Sequence, residues 1–139
     1  MSTAIEALQG PWDWAASAQY SQAVRVGDLI FTGGIGGFDA DGNLVDGGFE
    51  AQVRQTWTNL AQVLETCGAT LRNIASMTVF VQSPEDYELF KRIRPDYLDY
   101  PYPASTAVGA GRLLVEGMAF ELNAIAVIGG QRQPLGSDK

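Results

Sequence analysis

The chain has 139 residues, 46% of them apolar, with a net charge of −7, one cysteine and no histidine. That length and apolar content suit one compact domain with its own core, while the missing imidazole excludes Ser-His and Cys-His nucleophile systems and nearly every catalytic zinc site. The acidic balance argues against a nucleic-acid partner, which needs a basic face, and the lone Cys67 excludes an internal disulfide framework and fits a reducing cytoplasm.

No run reaches the roughly 18 apolar residues of a membrane span, and the N-terminus carries no basic-apolar-small leader pattern. Residues 1–18 hold Trp12 and Trp14 in "GPWDWAAS" without a clear period, and read as an N-terminal arm whose tryptophans dock on the body. "YSQAVRV" and "LIFTGG" are β-prone runs around Gly27-Asp28, the signature of a hairpin. "GGIGGFDADGNLVDGG" is a loop, with room for a short hairpin at "DADGN". Val53, Trp57, Leu60, Ala61 and Leu64 then fall at helical spacing, and Gly68 marks the stop. Ser76 to Gln82 reads as a buried strand. "SPEDYELFKRIRPDYL" opens a second helix with a capping serine and a proline at its first position. Phe90, Ile93 and Leu98 form its buried face, and Pro95 bends or ends it. Residues 104–127 give two further strands around a turn near Glu116-Gly117, and 130–139 read as a mobile tail.

The order is therefore β-β-α-β-α-β-β, an α+β fold with two helices on one face of a mixed sheet and one domain over 19–129. Strands such as "LIFTG" and "FELNAIAV" are apolar on both alternations, so the uncovered sheet face is expected to pack in a homo-oligomer.

Few constellations carry chemistry. Gly33, Gly34, Gly36 and Gly37 lack the spacing of a phosphate loop and read as a strand end and loop that lets a small ligand approach the backbone. Cys67 without a histidine is a small apolar residue. Asp39 and Asp41 lack the rest of a calcium loop, and Lys91, Arg92 and Arg94 are the solvated face of a helix. Glu121 differs. It sits inside "MAFELNAIAV", where burial would raise its pKa and suit it to passing protons.

Taken together, "YSQAV", "GDLIFTGG", "LAQVLETCGATLRNIASMTVFV", "DYELFKRIRPDYL", "YPASTAV" and "FELNAIA" resemble, in this order and over nearly the whole chain, the Rid family (YjgF-like, reactive intermediate deaminases). The resemblance implies a chorismate-mutase-like fold, a homotrimer packed through its sheets and ligand clefts between subunits. It further implies hydrolysis of imines or enamines to a carbonyl product and ammonia, with no metal or organic cofactor. Carried over, the catalytic residues are Glu121, which holds and activates the water, and Tyr20. Substrate binding falls to Ser21, the Gly34 backbone, Ser105 and Thr106, with Ser105-Thr106 expected to face Glu121.

The sequence departs from the family at one position that matters. Deaminating members carry Pro-Ala-Arg-Ser/Thr, whose arginine pairs with a substrate carboxylate; this chain reads Pro103-Ala104-Ser105-Thr106. Serine offers a hydroxyl but no charge or bidentate fork. Lys91 stands where an asparagine is often found, Ala107 replaces a cysteine-like position, and Lys91 or Arg94 could bring a cation to the cleft. The expected substrate is therefore not a simple 2-imino acid. The alternatives are a non-catalytic trimer that binds small metabolites or a partner protein, and an endoribonuclease or translation inhibitor, which the acidic charge disfavours.

Overall fold

The computed structural model describes residues 3–137, so the outermost residues of the expected arm and tail, 1–2 and 138–139, lie outside it. The strands are β1 (Glu6–Leu8), β2 (Ala23–Val26), β3 (Leu29–Thr32), β4 (Ile35–Gly36), β5 (Ile74–Val81), β6 (Ala104–Gly109) and β7 (Phe120–Val127). Two helices, α1 (Gly48–Cys67) and α2 (Pro84–Ile93), pack on one face of a sheet ordered β1-β2-β3-β7-β5-β6, with β4 also paired to β7. Every pairing is antiparallel except β5 with β6, which makes the sheet mixed.

The local signals explain most boundaries. The β2–β3 hairpin turns at Gly27-Asp28, where Gly27 takes φ +60°. Helix α1 ends at Gly68 in the left-handed region (φ +99°), so that Ala69 N–H reaches back to the Leu64 carbonyl. Ser83 caps α2 by accepting from the Asp86 N–H at 3.3 Å. The α-helix gives out at Ile93, and Arg94–Asp96 continue as one 3₁₀ turn around Pro95.

Alternation on β7 sorts the core. Phe120, Leu122, Ala124 and Ala126 are buried beneath the helices, and Glu121, Asn123, Ile125 and Val127 take the other face. Trp57 of α1 lies between Tyr97 and Phe90, with centroids 5.3 and 6.2 Å away, and Phe90 stacks on Phe120 at 5.1 Å. Removing such a side chain costs about 3–5 kcal/mol.

Three features differ from what the sequence led us to expect. The 1–18 segment is more than an arm: Glu6–Leu8 pairs with β2 as an edge strand. Its run is too short to show a period. The segment after Gly130 is fastened by Arg132, whose Nε donates to the Pro101 carbonyl at 2.6 Å and whose Nη1 donates to the carbonyls of Leu71, Arg72 and Ile74 at 3.0–3.1 Å. The two last strands do not pair with each other, because β5 lies between them.

Candidate functional site

The ladder between β3 and β7 is interrupted beside Glu121. Phe31 pairs with Ile125 and Ile35 with Leu122, so four residue steps on one strand face three on the other. The extra residue makes a bulge across Thr32-Gly33-Gly34. The Thr32 hydroxyl donates to the Gly33 carbonyl and accepts the Ala124 N–H, both at 2.9 Å, and so takes the place of the lost ladder bond. The missing side chain at Gly34 is then filled by Glu121. A Cβ there would lie 2.6 Å from its Oε2 and 2.9 Å from its Cδ. The carboxylate therefore sits directly over the Gly34 backbone.

Among the described residues, no hydrogen bond or ion pair reaches the Glu121 carboxylate. Partial burial pushes its pKa above the usual carboxylate range. The group opens into a cavity of about 160 Å³ whose wall also includes Tyr20, Gly34 and Gly36. Tyr20 is 55% exposed, so part of this wall faces solvent.

Buried polar residues of α1 hold the rim. Asn59 Nδ2 donates to the carbonyls of Gly36 and Phe38 at 2.9 and 2.8 Å, while its Oδ1 accepts from Gln55. Gln52 Nε2 donates to the Gly117 carbonyl at 2.9 Å and its Oε1 accepts the Ala119 N–H at 2.8 Å, which fixes the approach to β7. Gln52, Thr56 and Asn59 follow helical spacing within an otherwise apolar buried face, so polar residues at i, i+4 and i+7 are the sequence signal of this rim. Trp12, Trp14 and Gln22 line the same cavity, so the N-terminal tryptophans belong to its wall.

Of the residues singled out from sequence, one chain brings together Tyr20, Gly34 and Glu121. The Ser21 hydroxyl instead donates to Gln9 Oε1 at 2.8 Å. Lys91 pairs with Glu88 at 3.0 Å on the surface of α2, and Arg94 lies over the rings of Phe90 and Tyr102. Ser105 and Thr106 do not line the cavity, so the expected facing of Ser105-Thr106 onto Glu121 does not occur within one chain. Their strand β6 runs parallel to β5, pairing Met77 with Ser105 and Thr78 with Thr106, while Glu121 lies opposite Phe80 on the far side of β5. Alternation puts Thr106 on the open face with Glu121 and Ser105 on the helix side. All six residues of β6 are exposed.

Comparison with known proteins agrees with this architecture. The model of the family described as Endoribonuclease L-PSP matches residues 12–128. The chain is 35% identical over 109 residues to the protein mmf2, mitochondrial, of Schizosaccharomyces pombe, covering 77% of this chain and 86% of that one. It is 34% identical over 116 residues to a Bos taurus protein named 2-iminobutanoate/2-iminopropanoate deaminase, covering 83% and 84%. The crystal structure of RidA from an Antarctic Psychrobacter superposes with a TM-score of 0.77 at 30% identity, covering 89% of this chain and 98% of that one.

Proposed function

The chain belongs to the L-PSP family, the Rid (YjgF-like) family of the sequence resemblance, and from that premise we propose that it hydrolyses imines or enamines to a carbonyl product and ammonia. The observation that carries the reading is the Glu121 carboxylate. It lies over the Gly34 backbone in a cavity, without a cation, and burial raises its pKa.

Burial raises the Glu121 pKa and so favours its protonated form more than in a free carboxylate, and a carboxyl group that exchanges its proton can serve in turn as general acid and general base. In its protonated form Glu121 gives its proton to the imine nitrogen, or to the enamine carbon, and leaves an electrophilic iminium. As the carboxylate it then takes a proton from water while the water oxygen bonds to the iminium carbon and the C=N π pair moves to nitrogen. Returning that proton to nitrogen lets the C–N bond break as C=O forms, and the hydroxyl proton goes back to Glu121. The sum is R₂C=NH + H₂O → R₂C=O + NH₃. The Tyr20 hydroxyl and the Gly34 backbone orient the substrate and the water.

The substrate class differs from a simple 2-imino acid, since Ser105 stands where a carboxylate-pairing arginine would be. The proposal includes assembly as a homotrimer. Leu29, Phe31, Val108 and Ile125 share the open face and are 36–41% exposed, an apolar surface that a second copy would cover. Such packing would bring Thr106, on the open face with Glu121, toward a cleft between copies. We place the chain in the cytoplasm on its lone thiol; no helix among the described residues is long and apolar enough to cross a membrane.

Ammonia release from 2-iminopropionate and from bulkier imines, with E121A and S105R beside wild type, tests the proposal. E121A should lower turnover by at least about 10², and S105R should favour imino acids. Turnover untouched in E121A would overturn the catalytic role. Binding of imine analogues without any ammonia release would instead support a non-catalytic metabolite-binding trimer.

A further inference from the structure

The wall of the cavity opposite the bulge is aromatic and held in place. Trp12 and Trp14 stack with centroids 5.4 Å apart and planes 2° from parallel, and Phe38 meets Trp14 at 6.2 Å and 56°. Gly42, at φ +85°, brings its backbone against the indole, so that a Cβ there would stand 3.1 Å from Trp14 Cγ. The space these rings enclose with Tyr20 and Met118 is about 160 Å³, and about 150 Å³ is enough to take a benzene ring.

Charge and hydrogen bonding narrow what fits. Among the described residues, Glu121 is the sole charged side chain in the lining. A carboxylate entering here would meet a like charge and no cation, whereas a planar neutral or cationic body would meet aromatic faces. Gln22 is 2% exposed, and among the described residues neither its Nε2 nor the Trp14 Nε1, both buried, has a hydrogen-bond partner. Orphaned buried donors cost stability that an incoming acceptor returns. Trp57 Nε1 is likewise unpartnered, but it sits in the core away from the cavity and has no part here.

Resting on the imine-hydrolase reading above, we propose that this cavity is a subsite for a planar aromatic group bearing a hydrogen-bond acceptor, so that the substrate is an aryl-bodied imine or enamine without a carboxylate. The simplest such reaction is C₆H₅CH=NH + H₂O → C₆H₅CHO + NH₃, in which water supplies the oxygen and both protons that leave with nitrogen.

Benzamide and benzoate, equal in shape and different in charge, are the binding probes. Titrated into ¹⁵N-labelled wild type, benzamide should shift the Trp14 indole N–H resonance, assigned with W57F and W12F, and bind at least about tenfold tighter than benzoate. A Trp14 resonance that stays fixed at saturating benzamide, or equal affinity for the two, overturns the subsite. W14L should weaken benzamide at least tenfold; if it fails to fold, the wild-type resonance decides alone. Turnover is read on benzaldimine, generated from benzylamine by an amine oxidase, against 2-iminopropionate from alanine by an amino-acid oxidase, with at least about tenfold higher kcat/KM expected for the aryl imine. Benzamide binding with no turnover of either imine sinks the hydrolase reading and leaves the subsite. Turnover of 2-iminopropionate with Trp14 silent to benzamide does the reverse.

Discussion

Replacing Gly34 with alanine separates the site from the fold. The new Cβ would start 2.6 Å from Glu121 Oε2, and ordinary contact begins at 3.4 Å, so the carboxylate must retreat by about 0.8 Å. The obstacle is the free end of a flexible side chain, and Gly34 has no left-handed φ that alanine would resist. Alanine also lowers the entropy of the unfolded chain by about 0.4–1 kcal/mol, which offsets the crowding. We expect G34A to melt within a few degrees of wild type. Catalysis should suffer far more, because a displacement approaching 1 Å at a reacting group can cost about 10² in rate. Steady-state ammonia release beside a thermal melt on the same preparation measures both. Wild-type kcat in a normally folded G34A would refute the reasoning, since it would mean that the position of the carboxylate over Gly34 is irrelevant to turnover.

Three further predictions come from other parts of the molecule. Burial raises the Glu121 pKa, so the native state holds this proton to higher pH than the unfolded chain does. Stability from this group is full below the ordinary carboxylate pKa and lost as pH rises through the raised value; E121Q should flatten that part of the curve in urea melts, and an unchanged slope would count against it. Losing the Arg132 fork leaves the carbonyls of Pro101, Leu71, Arg72 and Ile74 to water, so R132A should lower stability by about 2–4 kcal/mol. R132K should recover little of that, because an ammonium cannot span the same set; full recovery would show that charge alone suffices. Finally, F31E on the open sheet face should shift the proposed trimer toward monomers in sedimentation velocity, and an assembly unaltered by F31E would place any interface elsewhere.

Much of this was legible in the sequence. Helical spacing from Val53 to Leu64, the Ser83-Pro84 start and the Gly68 stop are local signals, and local chemistry fixed those boundaries. Glu121 stood out because it is the one acid in a strand apolar on both alternations, and the structure keeps the carboxylate half-buried. What stayed hidden depends on register and topology. The resemblance led to the expectation that the hydroxyls of Ser105 and Thr106 face Glu121 across a cleft, and within one chain they do not. Strand order places β5 between them, and nothing local in "PASTAVG" encodes a parallel partner. The bulge was equally invisible, since "FTGGIG" carries flexibility without saying where the extra residue falls. Trp12 and Trp14 had composition but no period, and only the three-residue pairing of β1 explains how they reach the cavity.

The bulge beside Glu121 also bears on how this chain tolerates insertion and deletion. Phe31 pairs with Ile125 and Ile35 with Leu122, so removing one glycine from Thr32-Gly33-Gly34 would leave both flanking registers intact. The two short strands would zip into one continuous strand, with Ile35 still facing the core and no bond missing from the ladder. Such a shortened chain should be the more regular and more stable protein, and it would have closed the gap into which Glu121 leans. One supernumerary residue thus marks where this sheet gives up regularity to make the gap that Glu121 occupies. Length variation at this point, unlike variation in the surface loops, would separate relatives that keep the reaction from those that keep only the fold.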